Sequence, residues 1–289
     1  MKRLTGKVLI LGLLLTACAS PPTVDSDAGQ LTFDDLPGRV VSLSATHTEI
    51  LYALDAADLV VATDLTSNYP EEAKATTKVD AFNFNVEEIA AVDPDLVITG
   101  FNFQGEVEAL RAIGIPVLFL APATRLDETY EQIETLGEVT GREAEAAELI
   151  SSMRTRIDEM IRSTSGRPLT VFHEVDNTLF SANSSTFLGD IYSRLGLTNI
   201  ADAVPDEFGS GYVQVSEEYL FSQDPDLIFL GDASFGESFE SVRSRPGWEA
   251  LSAVMSGAVF ELDGDVAGRW GPRTVDLVED IVAAVEAVS

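Results

Sequence analysis

One segment of the chain occurs twice, and both copies are anchored on proline. Asp93-Pro94-Asp95-Leu96-Val97-Ile98 returns as Asp224-Pro225-Asp226-Leu227-Ile228-Phe229, with the prolines 131 residues apart (225 less 94). Each copy is entered through an acidic, helix-compatible run, Val86-Glu87-Glu88-Ile89 in the first and Val215-Ser216-Glu217-Glu218 in the second. At the same offset Glu87 pairs with Glu218. Carboxylates at the start of a helix complement its dipole. Proline cannot continue a helix, and it pushes the preceding residue towards extended geometry. The apolar runs Leu96–Ile98 and Leu227–Leu230 then read as strands covered on both faces, as in a parallel sheet. A unit repeated once at this distance predicts two similar lobes, because a solenoid needs shorter and more numerous repeats.

A chain of 289 residues has room for two such lobes, each with its own core. The first 17 residues stand apart: Lys2, Arg3 and Lys7 precede an apolar run from Val8 to Leu15 that is too short to span a membrane. The run ends in Leu15-Thr16-Ala17-Cys18, which resembles the bacterial lipobox and implies cleavage before Cys18 with lipid attached to its sulfur. Cys18 is the only cysteine, so no disulfide can form within the chain. Residues 18–38, rich at first in Pro, Ser, Asp and Ala, read as a lipid-anchored tether. Cleavage leaves 15 basic residues against 48 acidic ones, a net charge of −33. That balance argues against nucleic acid as a partner, since phosphate binding needs clustered Lys and Arg.

Beyond the tether the pattern alternates strand and helix, the mark of an α/β layer structure. Arg39–Ser44, Leu59–Ala62, Leu96–Ile98 and Ile115–Leu120 read as strands of a first lobe, residues 39–141. A loop holding Ala45-Thr46-His47-Thr48 follows the first strand, and a helix is expected from Glu49 to Leu54. Between Arg142 and Ser163 the apolar residues Ala146, Leu149, Ile150, Met153, Ile157, Met160 and Ile161 recur at three- and four-residue steps, giving one apolar face. This longest helix, assigned to residues 142–164, is a rigid connector between the lobes. The second lobe, residues 165–289, restarts with the strand Leu169–Val175 and closes with a helix from Pro272 to Val288.

Arg39-Val40-Val41-Ser42-Leu43-Ser44, Thr48-Glu49-Ile50-Leu51, Tyr69-Pro70, Pro94-Asp95-Leu96-Val97, Gly114-Ile115-Pro116-Val117 and Gly271-Pro272-Arg273 follow one another in this order. In that order, and with the lipobox, the chain resembles the class III substrate-binding lipoproteins of ABC importers, which take up ferric siderophores, haem and vitamin B12. The resemblance implies two α/β lobes with central parallel sheets, joined by one long helix, with ligand held in the cleft between them. It implies a monomer on the outer face of the cytoplasmic membrane, partnered by an ABC permease and a small-molecule metal chelate. It also implies one exposed docking glutamate on each lobe, and Glu87 and Glu218 match those positions; ordinary solvated helix-start glutamates are the alternative. Candidate ligand residues lie where loops leave strand ends: His47, Tyr69, Phe82, Phe84 and Phe101 in the first lobe, Tyr212, Asp265, Arg269 and Trp270 in the second. Tyr212 stands six residues before Glu218, and Asp265 and Arg269 stand seven and three before Pro272, spacings similar to those of vitamin B12 binders. They favour a corrinoid narrowly over ferric siderophore or haem. For each aromatic, packing in the core is the alternative.

His47 and His173 are the only histidines, and a bare Zn²⁺ or Mn²⁺ site needs three or four ligands, so carboxylates would have to complete one. No metal site is assigned on this basis. His173, inside an apolar strand, reads as a structural residue, and His47 as the better ligand contact. No nucleophile elbow, zinc-protease helix or phosphate-binding loop is present in the sequence, which sets a lipid-anchored hydrolase behind a binding protein that needs no cofactor.

Overall fold

A computed structural model describes residues 23–33, 35–164 and 168–288. A short antiparallel hairpin comes first, β1 (Thr23–Val24) against β2 (Leu31–Thr32). The first lobe then contributes β3 (Val40–Ser42), β4 (Val60–Asp64), β5 (Thr77–Val79), β6 (Leu96–Thr99) and β7 (Val117–Phe119), which form one parallel sheet in the order β5-β4-β3-β6-β7. The second lobe contributes β8 (Thr170–Glu174), β9 (Phe180–Ala182), β10 (Thr198–Asn199), β11 (Tyr212–Gln214), β12 (Leu227–Leu230) and β13 (Val259–Glu261). Four of these form a second parallel sheet, β10-β8-β12-β13, and β9 pairs with β11 as a separate antiparallel ribbon.

The two copies of the repeat occupy equivalent places. β6 and β12 each lie beside the first strand of their lobe, with one further strand on the outside. The aspartates flanking each proline show why the segment takes this form. Asp93 and Asp224 are left-handed, with φ of 51° and 43°, where extended backbone was expected. A residue with a short polar side chain tolerates that conformation just past a helix end, where it turns the chain out of the helix. Asp95 accepts a bond from the Gly38 amide at 2.9 Å, and Asp226 accepts one from the Thr170 amide at 2.7 Å. Each thereby pins the entry to its lobe's first strand.

Alternation along the strands of the first sheet divides two cores. Val40, Leu96, Ile98 and Leu118 join a cluster that continues past the long helix into the second lobe, while Val41, Leu43, Val97 and Val117 face a second cluster with Ile89 and Leu110. The long helix runs from Glu143 to Thr164, 22 residues or about 33 Å. Its Ala146, Met153 and Ile157 are buried in the shared cluster. The preceding helix, Leu126–Thr140, is closed by left-handed Gly141.

Two expectations change. Residues 23–33 are not a free tether: Val24 and Phe33 are buried, and Ser26 and Asp27 bond the backbone of Phe119 at 2.9–3.1 Å. Asp27 also accepts from the Ala121 amide, so the segment is fastened along edge strand β7, whose unpaired backbone would otherwise be left open. The helix expected from Glu49 begins at Ala45 and runs to Ala53, which places Thr46, His47 and Thr48 inside it. Residues 1–17 and Cys18 lie outside the described residues. Among the described residues no helix is long and apolar enough to cross a membrane.

Candidate functional site

The order of the first sheet reverses at β3, whose neighbours are β4 and β6. At such a switch point the loops leaving adjacent strands diverge and open a crevice beyond their carboxyl ends. A cavity of about 700 Å³ lies there, lined by Leu43 and Ser44 after β3, Asp64 at the end of β4, Gly100 and Phe101 after β6, and Phe119 at the end of β7. The second lobe closes it with Gly264, Asp265, Gly268, Arg269 and Trp270. A smaller chamber of about 200 Å³ continues past Trp270 towards Tyr212, Phe187 and Ser210, and the two share Pro122, Gly268 and Trp270.

Three phenylalanines form a ladder on the first-lobe wall. Phe82 stacks on Phe101 with ring centroids 5.9 Å apart and planes 10° from parallel, and Phe101 stacks on Phe103 at 5.7 Å and 6°. The outer rings of the ladder are exposed, Phe82 by 62% and Phe103 by 81%. Rings held parallel and left wet present flat apolar faces, which suit a flat or apolar ligand surface.

Behind the cavity an ionic network ties the lobes together. Glu49, in the Ala45–Ala53 helix, has a side chain only 1% exposed. It accepts bonds from Arg269 at 2.7 Å and from Arg273 at 2.6 and 2.9 Å. Arg269 also donates to Asn68 (2.9 Å), the Thr66 carbonyl (3.1 Å) and Asp265 (2.7 Å), while Asn68 donates to the other oxygen of Asp265 at 2.7 Å. The Glu49 carboxylate also holds the Arg273 guanidinium above its usual pKa.

Of the residues expected at the ligand, Phe82, Phe101, Asp265, Arg269 and Trp270 line the main chamber, and Tyr212 lines the smaller one. Arg269 is not a free cation, because both terminal nitrogens are engaged by the network and its side chain is 8% exposed. His47 is fully buried and does not reach the chamber. Burial lowers its pKa to about 4, against weaker opposing effects of the Gln132 bond and Asp64. Phe84 packs against the second core of the first lobe, as an aromatic beside a buried strand can. Tyr69 stays exposed and carries the Arg273 guanidinium 4.4 Å from its ring centre, outside both chambers. His173 is buried within β8 and bonded to the Tyr192 hydroxyl at 2.8 Å. Sequence reasoning did not single out Asp64, Phe119 or Pro122; their short apolar or turn-rich contexts carry no periodic signal. Among the described residues no group of three or more His, Cys, Asp or Glu is placed to hold a metal ion.

Glu87 and Glu218 are each the second residue of a short helix, Val86–Ala91 and Glu217–Gln223, and both are exposed. Asn85 and Ser216 cap those helices, Asn85 by accepting from the Glu87 and Glu88 amides and Ser216 from the Tyr219 amide. Capping oxygens thus serve the helix starts and leave the carboxylates facing solvent. Glu217, next to Glu218, is instead engaged by the Trp248 indole at 3.0 Å.

The comparisons agree with this architecture. The Bacillus subtilis protein YvrC, an uncharacterized ABC transporter substrate-binding lipoprotein, is 32% identical over 276 residues, covering 92% of this chain and 85% of that protein. A cobalamin-binding protein of Halobacterium salinarum is 34% identical over 224 residues, covering 74% of this chain and 60% of that protein. The crystal structure of the Vibrio cholerae vitamin B12 binding protein BtuF superposes with a TM-score of 0.73 at 26% identity, over 87% of this chain and 98% of that one. The family described as Periplasmic binding protein matches residues 40–266. With its duplicated parallel sheets, connecting helix and interlobe cleft, the chain belongs to the periplasmic binding protein family.

Proposed function

We propose that this is an extracytoplasmic substrate-binding protein that captures a metal chelate, a corrinoid in preference to haem or a ferric siderophore, and hands it to an ABC permease. The observation that carries the reading is the phenylalanine ladder facing a chamber whose lining holds, among the described residues, no uncommitted cation. Among the described residues Arg269 is the only basic side chain in that lining, and it is neutralised by Glu49 and Asp265, while Asp64 adds a further carboxylate. Haem carries two propionates that call for free arginine or lysine partners. A corrinoid presents a flat ring edged with neutral amides, which needs apolar faces and scattered polar atoms instead. The names of the Halobacterium and Vibrio relatives support the same ligand class.

Capture needs no bond chemistry. The chelate is held between the ladder and the Asp265–Trp270 wall, and the interlobe network keeps lobe movement small on binding, in contrast to hinge closure. Delivery follows docking through Glu87 and Glu218, whose carboxylates would pair with arginines of the permease and fix the register. Cys18 supplies the lipid anchor, and the protein acts as a monomer. The test is titration of the purified protein with cyanocobalamin, haem and a ferric hydroxamate, read by tryptophan quenching and calorimetry. Saturable 1:1 binding of cyanocobalamin with weaker haem binding is expected. Tight haem binding without corrinoid binding would overturn the assignment.

A further inference from the structure

The geometry points to Gln132 as the positioning residue that orients Trp270, the wall shared by the two chambers, and with it the adjoining Pro122. Gln132 lies in the Leu126–Thr140 helix, 8% exposed, and lines neither chamber. Its side-chain oxygen accepts from the Trp270 indole at 2.9 Å and meets the His47 Nε2 at 3.1 Å. Its amide nitrogen donates to the Ala121 carbonyl at 2.7 Å. An indole N–H can only donate, so the atom facing Trp270 is the oxygen, and the amide cannot flip without losing both the indole and the Ala121 bond. Because that oxygen is an acceptor, His47 meets it with an Nε2–H, which fixes the tautomer. The same ring packs edge-on against Trp270, with centroids 6.4 Å apart at 79°.

One carboxamide therefore gathers three elements: the Ala45–Ala53 helix of the first lobe, the Ala121-Pro122 turn after β7, and the Trp270 segment of the second lobe. Two of the three residues common to both chambers, Trp270 and Pro122, depend on it, Trp270 directly and Pro122 through Ala121. The Ala121 amide is in turn held by Asp27 at 2.7 Å, so neither side of that turn is free to shift. With the Gln132 bonds lost, the indole could rotate into either chamber and change the space each offers to a bound molecule. The consequence for ligand rests on the cleft being the binding site proposed above; the effect on Trp270 does not.

The experiment compares Gln132→Met, which keeps volume but loses every bond, with Gln132→Glu, which keeps acceptors for both the indole and the imidazole and gives up only the donor to the Ala121 carbonyl. Trp248 and Trp270 are the only tryptophans, so subtraction of a Trp270→Phe spectrum isolates Trp270. In the ligand-free protein, Gln132→Met is expected to red-shift the Trp270 emission and remove its protection from acrylamide, while Gln132→Glu keeps both near wild type. With cyanocobalamin as probe, Gln132→Met should bind about tenfold more weakly, the scale of one lost buried hydrogen bond, and Gln132→Glu, which restores the indole bond but not the Ala121 bond, should recover part of that loss. Unchanged Trp270 emission and quenching in Gln132→Met would overturn the assignment. If Gln132→Met does not fold, Gln132→Asn, whose amide is drawn back by one carbon and cannot reach the indole, takes its place: a shifted Trp270 signal supports the role and a wild-type one refutes it. Should cyanocobalamin fail to bind even the wild type, the ligand-free spectra still test the positioning role, and only the corrinoid reading falls.

Discussion

Replacing Glu49 by glutamine tests whether the interlobe network holds the two halves together. The substitution conserves shape but removes the negative charge that Arg269 and Arg273 share, and it turns an amide donor towards one of them. At 1% exposure for Glu49 and 8% for Arg269, water cannot replace the lost partner. Removing one member of a buried, hydrogen-bonded ion group costs about 3–5 kcal/mol, because the remaining charges stay desolvated. In a chain of this size each kcal/mol lowers Tm by about 2–4 °C, so a fall of roughly 6–20 °C is expected. The assay is calorimetric melting of the ligand-free protein at neutral pH, at low and at high salt. A buried network should give the same loss in both, since ions screen it poorly. Replacing Glu49, Arg269 and Arg273 together by methionine should recover much of the loss, because no charge is then stranded. A Tm within about 2 °C of wild type for Glu49→Gln would refute the reasoning and reduce the network to a surface decoration of the cleft.

His47 and His173 give a pH prediction. Burial depresses both pKa values from 6.5 to about 4, so the unfolded chain takes up their protons first. Their contribution is complete above pH 6.5 and is lost as pH falls towards 4, by about 3 kcal/mol for each group. Urea midpoints between pH 7 and 4.5 should fall less steeply in His173→Phe than in wild type, and parallel curves would rule out the histidine contribution. On the transport side, reversing Glu87 and Glu218 to arginine should abolish uptake while leaving ligand affinity unchanged. A loss of affinity in that variant would show that the two carboxylates are not docking groups alone.

The proline-anchored repeat was legible because its information is local: a helix start, a stop and an apolar strand lie within about a dozen residues. The apolar stripe of the long helix was legible for the same reason. What could not be read was which polar side chain meets which across the lobes. Ala45-Thr46-His47-Thr48 looks like a loop because three of its four side chains are polar, yet all three are buried inside the protein. Thr48 bonds Ser42 at 2.9 Å and Ser67 at 2.8 Å, and His47 bonds Gln132, 85 residues away. Arg269 stood out because it stands three residues before Pro272, a spacing similar to that of vitamin B12 binders. Its partner Glu49 is 220 residues distant, and no periodicity reports a contact of that range. Phe82 and Phe84 stand two residues apart, but the chain bends between them, and one lies in the chamber wall while the other packs on the core.

The hairpin fastened along β7 shortens the leash by which this protein would be held. Thr23 is already part of the folded body, so only five residue steps separate it from Cys18, the proposed lipid attachment point. However those residues run, they reach no farther than about 18 Å. The first lobe would then patrol a thin shell above the bilayer, with Thr23 never more than about 18 Å from the lipid. Within such a shell a permease meets its binding protein at an effective concentration in the millimolar range. At that concentration the docking contact has no need to be tight, and a weak one lets the emptied protein leave for its next cargo.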